Sequence, residues 1–389
     1  MKRANKTWVE ISKSALTNNV RAFRRHVGEE TSVMAVVKSN AYGHGLVEVA
    51  EIADKEGAGW FGVDNVDEAI QLRKSGITKP ILILGYTLND RLVDCVKYRI
   101  SFVVYNLETV KALRALNLKA IKGTPGLGTK AAFVHVKIET GTTRQGVNGE
   151  ELRKLVRELK KTDGVVVEGA STHFANIEDT TDHSYAEMQL DRFREGLEIL
   201  AKEGIDPAWK HAACSAATVL FPETYFNLVR LGVSMYGLWS SKETLAVAKK
   251  DRHQLPLKPV MTWKTVIAQV KKVQKGTGVS YGLTERLSRD SVLAIIPVGY
   301  WDGFDRGLSS SGIVLVRGRR CKVMGRVCMN MCVIDVTDVP GVKVEDEVVL
   351  LGTQKGEEVN AEDIASKIGS INYEVVTRIN PLLPRTVSK

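Results

Sequence analysis

The chain carries Val36-Val37-Lys38-Ser39-Asn40-Ala41-Tyr42-Gly43-His44-Gly45, a lysine placed directly after a run of apolar residues. A lysine at the end of an apolar strand is desolvated on one side. That lowers its pKa and makes its amine a candidate nucleophile toward a carbonyl. The plain alternative is a strand-end lysine whose ammonium reaches out to water. Spacing alone favours the plain alternative, so the weight falls on the elements around Lys38 and on the letters that follow it.

The elements are regular. Short β-branched runs at Val33–Lys38, Trp60–Val63, Ile81–Gly85, Ser101–Tyr105, Ala132–Ile138, Val165–Ser171, Lys210–Cys214 and Asn227–Leu231 alternate with amphipathic stretches such as Glu150–Thr162 and Tyr185–Glu203. Apolar runs alternating with helices predict parallel βα units, and eight of them fit a (β/α)8 TIM barrel, a fold of the α/β class. A doubly wound sheet has the same period. Reactive groups in a barrel sit at the C-terminal ends of strands, which is where Lys38 falls. The pattern then changes. A long strand is expected over 260–275, followed by strands at Ser291–Gly299, Gly312–Val316, Arg320–Met324, Met329–Asp335 and Glu347–Leu351, joined by Gly-rich turns. Ala361–Ile368 reads as a helix, with Asn360 as N-cap and Gly369 as its stop. The expected division is a barrel over 10–240 and a mainly β domain over 241–389 together with residues 1–9, with a polar, Lys-rich linker near 238–258.

Composition narrows the class. The chain has 389 residues, 44% hydrophobic and 26% charged, with a net charge of +10. The basic residues are spread out, and no nucleic-acid recognition module is legible, so no nucleic-acid partner is expected. Five cysteines without a Cys-x-x-Cys pair argue against a disulfide framework and against a zinc site, and no metal is expected. No secretory signal and no membrane span are legible, which points to a cytoplasmic protein without a membrane partner.

The octapeptide Lys-Ser-Asn-Ala-Tyr-Gly-His-Gly resembles the cofactor-lysine motif of the alanine racemases, fold type III pyridoxal-phosphate enzymes. The resemblance runs from Trp8-Val9-Glu10-Ile11 to Ile371-Asn372-Tyr373-Glu374-Val375. It implies an eight-stranded barrel followed by a β domain, pyridoxal 5'-phosphate as cofactor, an amino-acid substrate, and racemisation of L- and D-alanine that supplies peptidoglycan synthesis. It also implies a homodimer with shared active sites. By the same resemblance Lys38 holds the cofactor covalently and serves one face of the substrate. Tyr281 of the partner chain, in Gly278-Val279-Ser280-Tyr281-Gly282, serves the other face. A phenol with an ordinary pKa near ~10 needs a polarising partner for that work.

The remaining roles also rest on the resemblance. The Ser215 side chain and the Gly232 and Val233 amides match phosphate contacts, with the Tyr42 and Tyr373 phenols added. Arg230 matches an arginine facing the pyridine nitrogen, and His173 and His211 match histidines that orient it. In Thr140-Gly141-Thr142-Thr143-Arg144-Gln145-Gly146, Arg144 matches the contact to the substrate carboxylate, while Thr142 and Thr143 depart from the family's usual Met-Gly and put that loop's shape in doubt. Lys137 matches a lysine that is often N-carboxylated. In Arg326-Val327-Cys328-Met329-Asn330-Met331 the Met329 amide would bind the substrate carboxylate, and Asn330 stands where the family usually has aspartate. Tyr300 and Asp302 resemble residues of the substrate entryway. Asn330 and the altered loop keep a serine or broad-specificity racemase open. An amino-acid decarboxylase of the same fold type is the other alternative.

Overall fold

The computed structural model describes residues 5–118, 121–124, 131–250 and 255–389. They form two compact units. One holds Ala15–Ala41 and Leu46–Lys258, and the other holds the segment ending at Ser14, Tyr42–Gly45 and Pro259–Lys389.

The first unit is a (β/α)8 barrel. Its eight parallel strands run side by side in the order Trp209–His211, Val165–Ser171, Ala132–Lys137, Ser101–Val104, Ile81–Ile83, Trp60–Val63, Ser32–Val36 and Leu228–Leu231. Backbone bonds from Arg230 N to Ala213 O (3.1 Å) and Asn227 N to Lys210 O (3.4 Å) join the two end strands. Strands such as Trp60–Val63 and Ser101–Val104 are buried at every position, as expected when a parallel sheet is covered on both faces. The covering helices are amphipathic. Gly149–Lys160 buries Leu152, Leu155, Val156 and Leu159, one stripe at helical spacing. Asn65 and Asn106 cap their helices by accepting amides of the first turn. The stretch 238–258 expected as a linker contains a helix, Lys242–Lys250, which buries Thr244 and Ala248; its residues 251–254 lie outside the described residues.

The second unit is a mainly β fold. Its main sheet places Thr7–Ser12 between Met261–Val266, antiparallel, and Arg385–Ser388, parallel. The strand expected over 260–275 is two strands, Met261–Val266 and Gln269–Val273. The break has a simple cause. Ile267 N bonds to Asp346 O and Ala268 N to Ile295 O, so the chain changes neighbours between adjacent residues. Met329–Asp335 is also shorter than expected: the strand is Cys332–Asp335, and Met329, Asn330 and Met331 lie in an exposed loop. The helix Ala361–Ile368 has the expected bounds, with Asn360 Oδ1 accepting from Asp363 N and Gly369 left-handed at φ 68°.

Gly43 lies in the Tyr42–Gly45 segment at φ 81°, where a Cβ would sit 2.1 Å from the Val376 carbonyl oxygen. Gly369 is also left-handed, but a Cβ there would meet nothing within 4 Å. Gly369→Ala therefore pays only the left-handed backbone cost of roughly 1–2 kcal/mol. Gly43→Ala adds a backbone clash and should be clearly more destabilising. Chemical denaturation of the two variants checks the ordering, and equal losses would contradict it.

Candidate active site

Lys38 stands at the mouth of the barrel because of an unusual turn. Strand Ser32–Val36 ends, Val37 N bonds to Gly62 O, and Ser39, Asn40, Ala41 and Tyr42 then all adopt left-handed φ values of 53–56°. None is glycine, so each position is strained by about 1–2 kcal/mol. The turn is held by Ala41 N to Val37 O (2.8 Å), by Asn40 N to Glu68 Oε1 (3.0 Å) and by Leu46 N to Asn40 Oδ1 (2.9 Å). Lys38 itself is half-buried.

Arg230, on the last barrel strand, is 6% exposed. Its Nη1 donates to His211 Nδ1 (2.7 Å) and His211 O (2.8 Å). Its Nη2 donates to Thr172 O (2.8 Å) and Ala212 O (2.9 Å) and lies 3.3 Å from His173 Nδ1. Burial, and then the nearby Arg144 charge, pull the guanidinium down to about 10, so it remains a cation at neutral pH. Both histidines are held well below their usual value, first by burial and then by the Arg230 charge. Both are therefore neutral, and each can accept a hydrogen bond from Arg230 through Nδ1.

Lys137 and Arg144 join this cationic group. Burial, and then Arg230 and Arg144, push the Lys137 amine well below the ordinary lysine value. Arg144 is exposed, at the rim of the loop with the unfamiliar letters. Glu139 organises that loop: its carboxylate accepts Gly141 N (2.6 Å), Thr143 N (3.1 Å) and Arg144 N (3.2 Å). Thr142 Oγ1 donates to His173 O, and Thr143 takes the left-handed conformation. Sequence reasoning also missed Gln189. Its amide nitrogen lies within bonding distance of Thr140 Oγ1 (3.1 Å) and His173 O (3.1 Å), and its oxygen accepts Ala175 N (2.8 Å). The signal was available, since Gln189 interrupts the buried stripe Ala186, Leu190 and Phe193 of helix Ser184–Lys202.

The phosphate candidates are adjacent. Ser215 Oγ accepts Gly232 N (3.0 Å), and Ser215 and Val233 are both buried. Among the described residues the Val233 amide and Arg230 Nε have no acceptor. These are spare donors of the kind that a phosphate and a ring nitrogen would use, so the residues present fit pyridoxal phosphate.

In the β unit, Tyr42 and Tyr373 pair ring to ring at 6.2 Å. Tyr281 follows Ser280, which is left-handed at φ 62° and whose hydroxyl donates to Arg326 O (2.7 Å). Tyr300 N bonds to Cys328 O and Trp301 N to Met329 O, both at 3.0 Å, so the turn at 299–302 and the loop at 326–331 are one assembly. Buried Asp302 pins it by accepting Gly299 N at 2.9 Å. The assembly exposes Tyr281 (73%), Tyr300, Trp301, Met329 and Met331. The Tyr281 hydroxyl has no partner among the described residues.

The three depressed histidines, His135, His173 and His211, carry a linkage consequence. Unfolding restores their ordinary value of 6.5, so below that pH the unfolded chain binds more protons than the folded one. Their contribution is neutral above pH 6.5 and turns against the fold as pH falls toward the depressed folded values. Unfolding should take up to about three extra protons on that limb. His→Asn substitution at one site should lower the uptake by about one, measured from the pH dependence of denaturant midpoints, and an unchanged uptake would contradict the assignment.

Comparison with known proteins agrees with this geometry. Residues 11–240 match the alanine racemase N-terminal domain family and residues 260–387 the alanine racemase C-terminal domain family. The alanine racemase of Desulforamulus reducens is 41% identical over 97% of this chain and 98% of its own. A Bacillus anthracis alanine racemase structure with bound L-Ala-P superimposes with a TM-score of 0.90 at 34% identity, covering 100% of this chain and 96% of that one. One from Clostridium difficile 630 gives 0.90 at 35% identity, over 100% and 97%. With the barrel, the β unit and both family domains matched along its length, the chain belongs to the alanine racemases, enzymes that interconvert L- and D-alanine.

Proposed function

We propose that the chain racemises alanine with pyridoxal phosphate by a two-base mechanism, in a homodimer whose sites are shared between chains. The observation that carries the reading is the Arg230 guanidinium, buried and anchored through both Nη atoms, with Nε left over. When bound, pyridoxal phosphate supplies the electron sink that makes the substrate Cα–H acidic. The chain supplies the rest. Lys38 would tether the cofactor, and its amine would serve one face of Cα. Tyr281 serves the opposite face. Arg230 can donate but not accept, so it holds the ring nitrogen unprotonated and limits the charge drawn into the ring.

Ser215 Oγ and the Gly232 and Val233 amides would hold the phosphate, with the Tyr42 and Tyr373 phenols. Arg144 and the Met329 amide would bind the substrate carboxylate, and Tyr300 would restrict the entry to small side chains. We further propose N-carboxylation of Lys137. A neutral amine is the form that reacts with CO2, and the carbamate anion would turn its repulsion by Arg144 and Arg230 into attraction. The product D-alanine fits a role in peptidoglycan supply in the cytoplasm.

Lys38→Ala should lose the lysine-bound cofactor absorbance and reduce racemisation by orders of magnitude, because one residue is both tether and base. A borohydride-reducible adduct on another lysine would sink the assignment.

The dimer reading is supported by the exposed aromatic face that bears Tyr281 and by its unpartnered hydroxyl, since large exposed apolar patches mark interaction surfaces. Mixing Lys38→Ala with Tyr281→Phe tests it. Random exchange gives half heterodimers, each with one intact site of two, so activity should return to about a quarter of wild type. No recovery, with heterodimers confirmed by native mass spectrometry, would overturn shared sites.

A further inference from the structure

Behind Arg230 a buried polar chain continues into the barrel, and nothing in the proposed mechanism uses its far end. His211 Nε2 lies 2.9 Å from His135 Nδ1, and both rings are fully buried. His135 Nε2 faces Glu168 Oε2 at 3.5 Å, a long polar contact rather than a full hydrogen bond. Glu168 Oε2 accepts the Ser101 hydroxyl at 2.7 Å. We propose that Glu168 is a positioning residue of the racemase: through His135 and His211 it fixes the tautomers that hold Arg230 as a donor. The proposal rests on the reading that Arg230 faces the cofactor ring.

Proton accounting gives the direction. A guanidinium only donates, so His211 Nδ1 must be bare where Arg230 Nη1 meets it. A neutral His211 then carries its proton on Nε2 and donates it to His135 Nδ1. His135 in turn carries its proton on Nε2, aimed at the Glu168 carboxylate. The reverse tautomers would set His211 Nδ1–H against Arg230 N–H, donor against donor, in a buried site where an unmet pair is costly. Glu168 is the only anion in this chain of five groups, and from the end opposite to Arg230 it stabilises the same arrangement that Arg230 favours. Burial pushes its carboxyl up, but the nearby His135 and the Ser101 hydrogen bond outweigh this and keep it ionised.

The local fold serves the same contact. The pairing between strands Ala132–Lys137 and Val165–Ser171 shifts register, with Val134 opposite Val167 and His135 opposite Gly169. Glu168 is the extra residue of a β-bulge, a device that re-aims a side chain. Gly169 leaves the room that His135 takes, since a Cβ there would lie 2.2 Å from His135 Nδ1. Trp60 closes the other side, edge-on to the His135 ring at 5.4 Å.

The test is 15N NMR of histidine-labelled holoenzyme, with ring signals assigned through His135→Asn and His211→Asn. Wild type should show both rings neutral with the proton on Nε2. A ring protonated at Nδ1 in either residue would overturn the proposal before any further variant is made. Glu168→Leu removes the acceptor, so His135 should gain the Nδ1–H form and kcat should fall on the order of tenfold, with KM changing less. Glu168→Gln keeps an acceptor oxygen, so it should retain the Nε2–H form and recover part of the lost kcat. Unchanged tautomers in Glu168→Leu, or altered tautomers with wild-type kcat, would refute the role. Arg230→Gln separates the two claims. If it is impaired while Glu168→Leu is not, only the Glu168 proposal falls; if it races like wild type, the Arg230 reading fails as well.

Discussion

The site depends on keeping one cation buried without a carboxylate beside it. A guanidinium removed from water must have its protons bonded, and a direct acidic partner would be the usual solution. Here the partners are the carbonyls of Thr172, His211 and Ala212 and the bare ring nitrogens of two histidines. Those carbonyls lie at or just beyond the ends of two neighbouring barrel strands, and the His211 oxygen accepts Thr172 N (3.3 Å) as well as Arg230. The barrel thus provides a ring of acceptors at its C-terminal rim, and Arg230 occupies a strand position that reaches it. A carboxylate in contact would neutralise the local field. With dipoles instead, the positive charge stays available to whatever is placed against it.

The surrounding groups follow from that charge. Two imidazoles next to a buried cation cannot protonate easily, so they serve as acceptors rather than as acids. A lysine in the same field is driven toward its neutral form. Glu139, the acidic residue closest in sequence to Lys137, is turned into the Arg144 loop by three backbone amides, and so shapes that loop while keeping its charge.

Much of this was legible in the sequence because it is periodic or local. Eight apolar runs at barrel spacing, and the Asn360-to-Gly369 helix with both caps, follow from rules that act over a few residues. Lys137 lies on the motif read from the sequence, whereas His135, two residues before it on the same strand face, was marked by no motif. What was not legible depends on partners far apart in sequence. The break at Ile267 and Ala268 arises because Asp346 and Ile295 belong to different neighbours. The bulge at Glu168 inverts the alternation that would have assigned its side chain to a face. Gln189 lies more than forty residues from the loop it ties down. The left-handed run at 39–42 runs against residue preference at Ser39, Ala41 and Tyr42: no glycine marks it, and the bonds from Glu68, Asn40 and Val37 hold it.

That run also shows how strain can be spent on position. An ordinary helix after Val37 would carry the chain onward over the barrel with Lys38 in its first turn. Four left-handed residues turn the chain within one short stretch instead. Lys38 stays at the strand end, and Tyr42–Gly45 is counted with the β unit, where the Gly43 carbonyl accepts Arg385 Nε (3.2 Å) and Nη2 (3.0 Å). The absent side chain of Gly43 lets it approach the Val376 carbonyl. On the barrel side the turn is held by Glu68 and Asn40. A flexible loop would cost less energy but leave the lysine with many rotamers and positions. The role proposed for Lys38, acting on one face of a single carbon, needs its amine in one place, and a rigid strained turn meets that need where a relaxed loop would not.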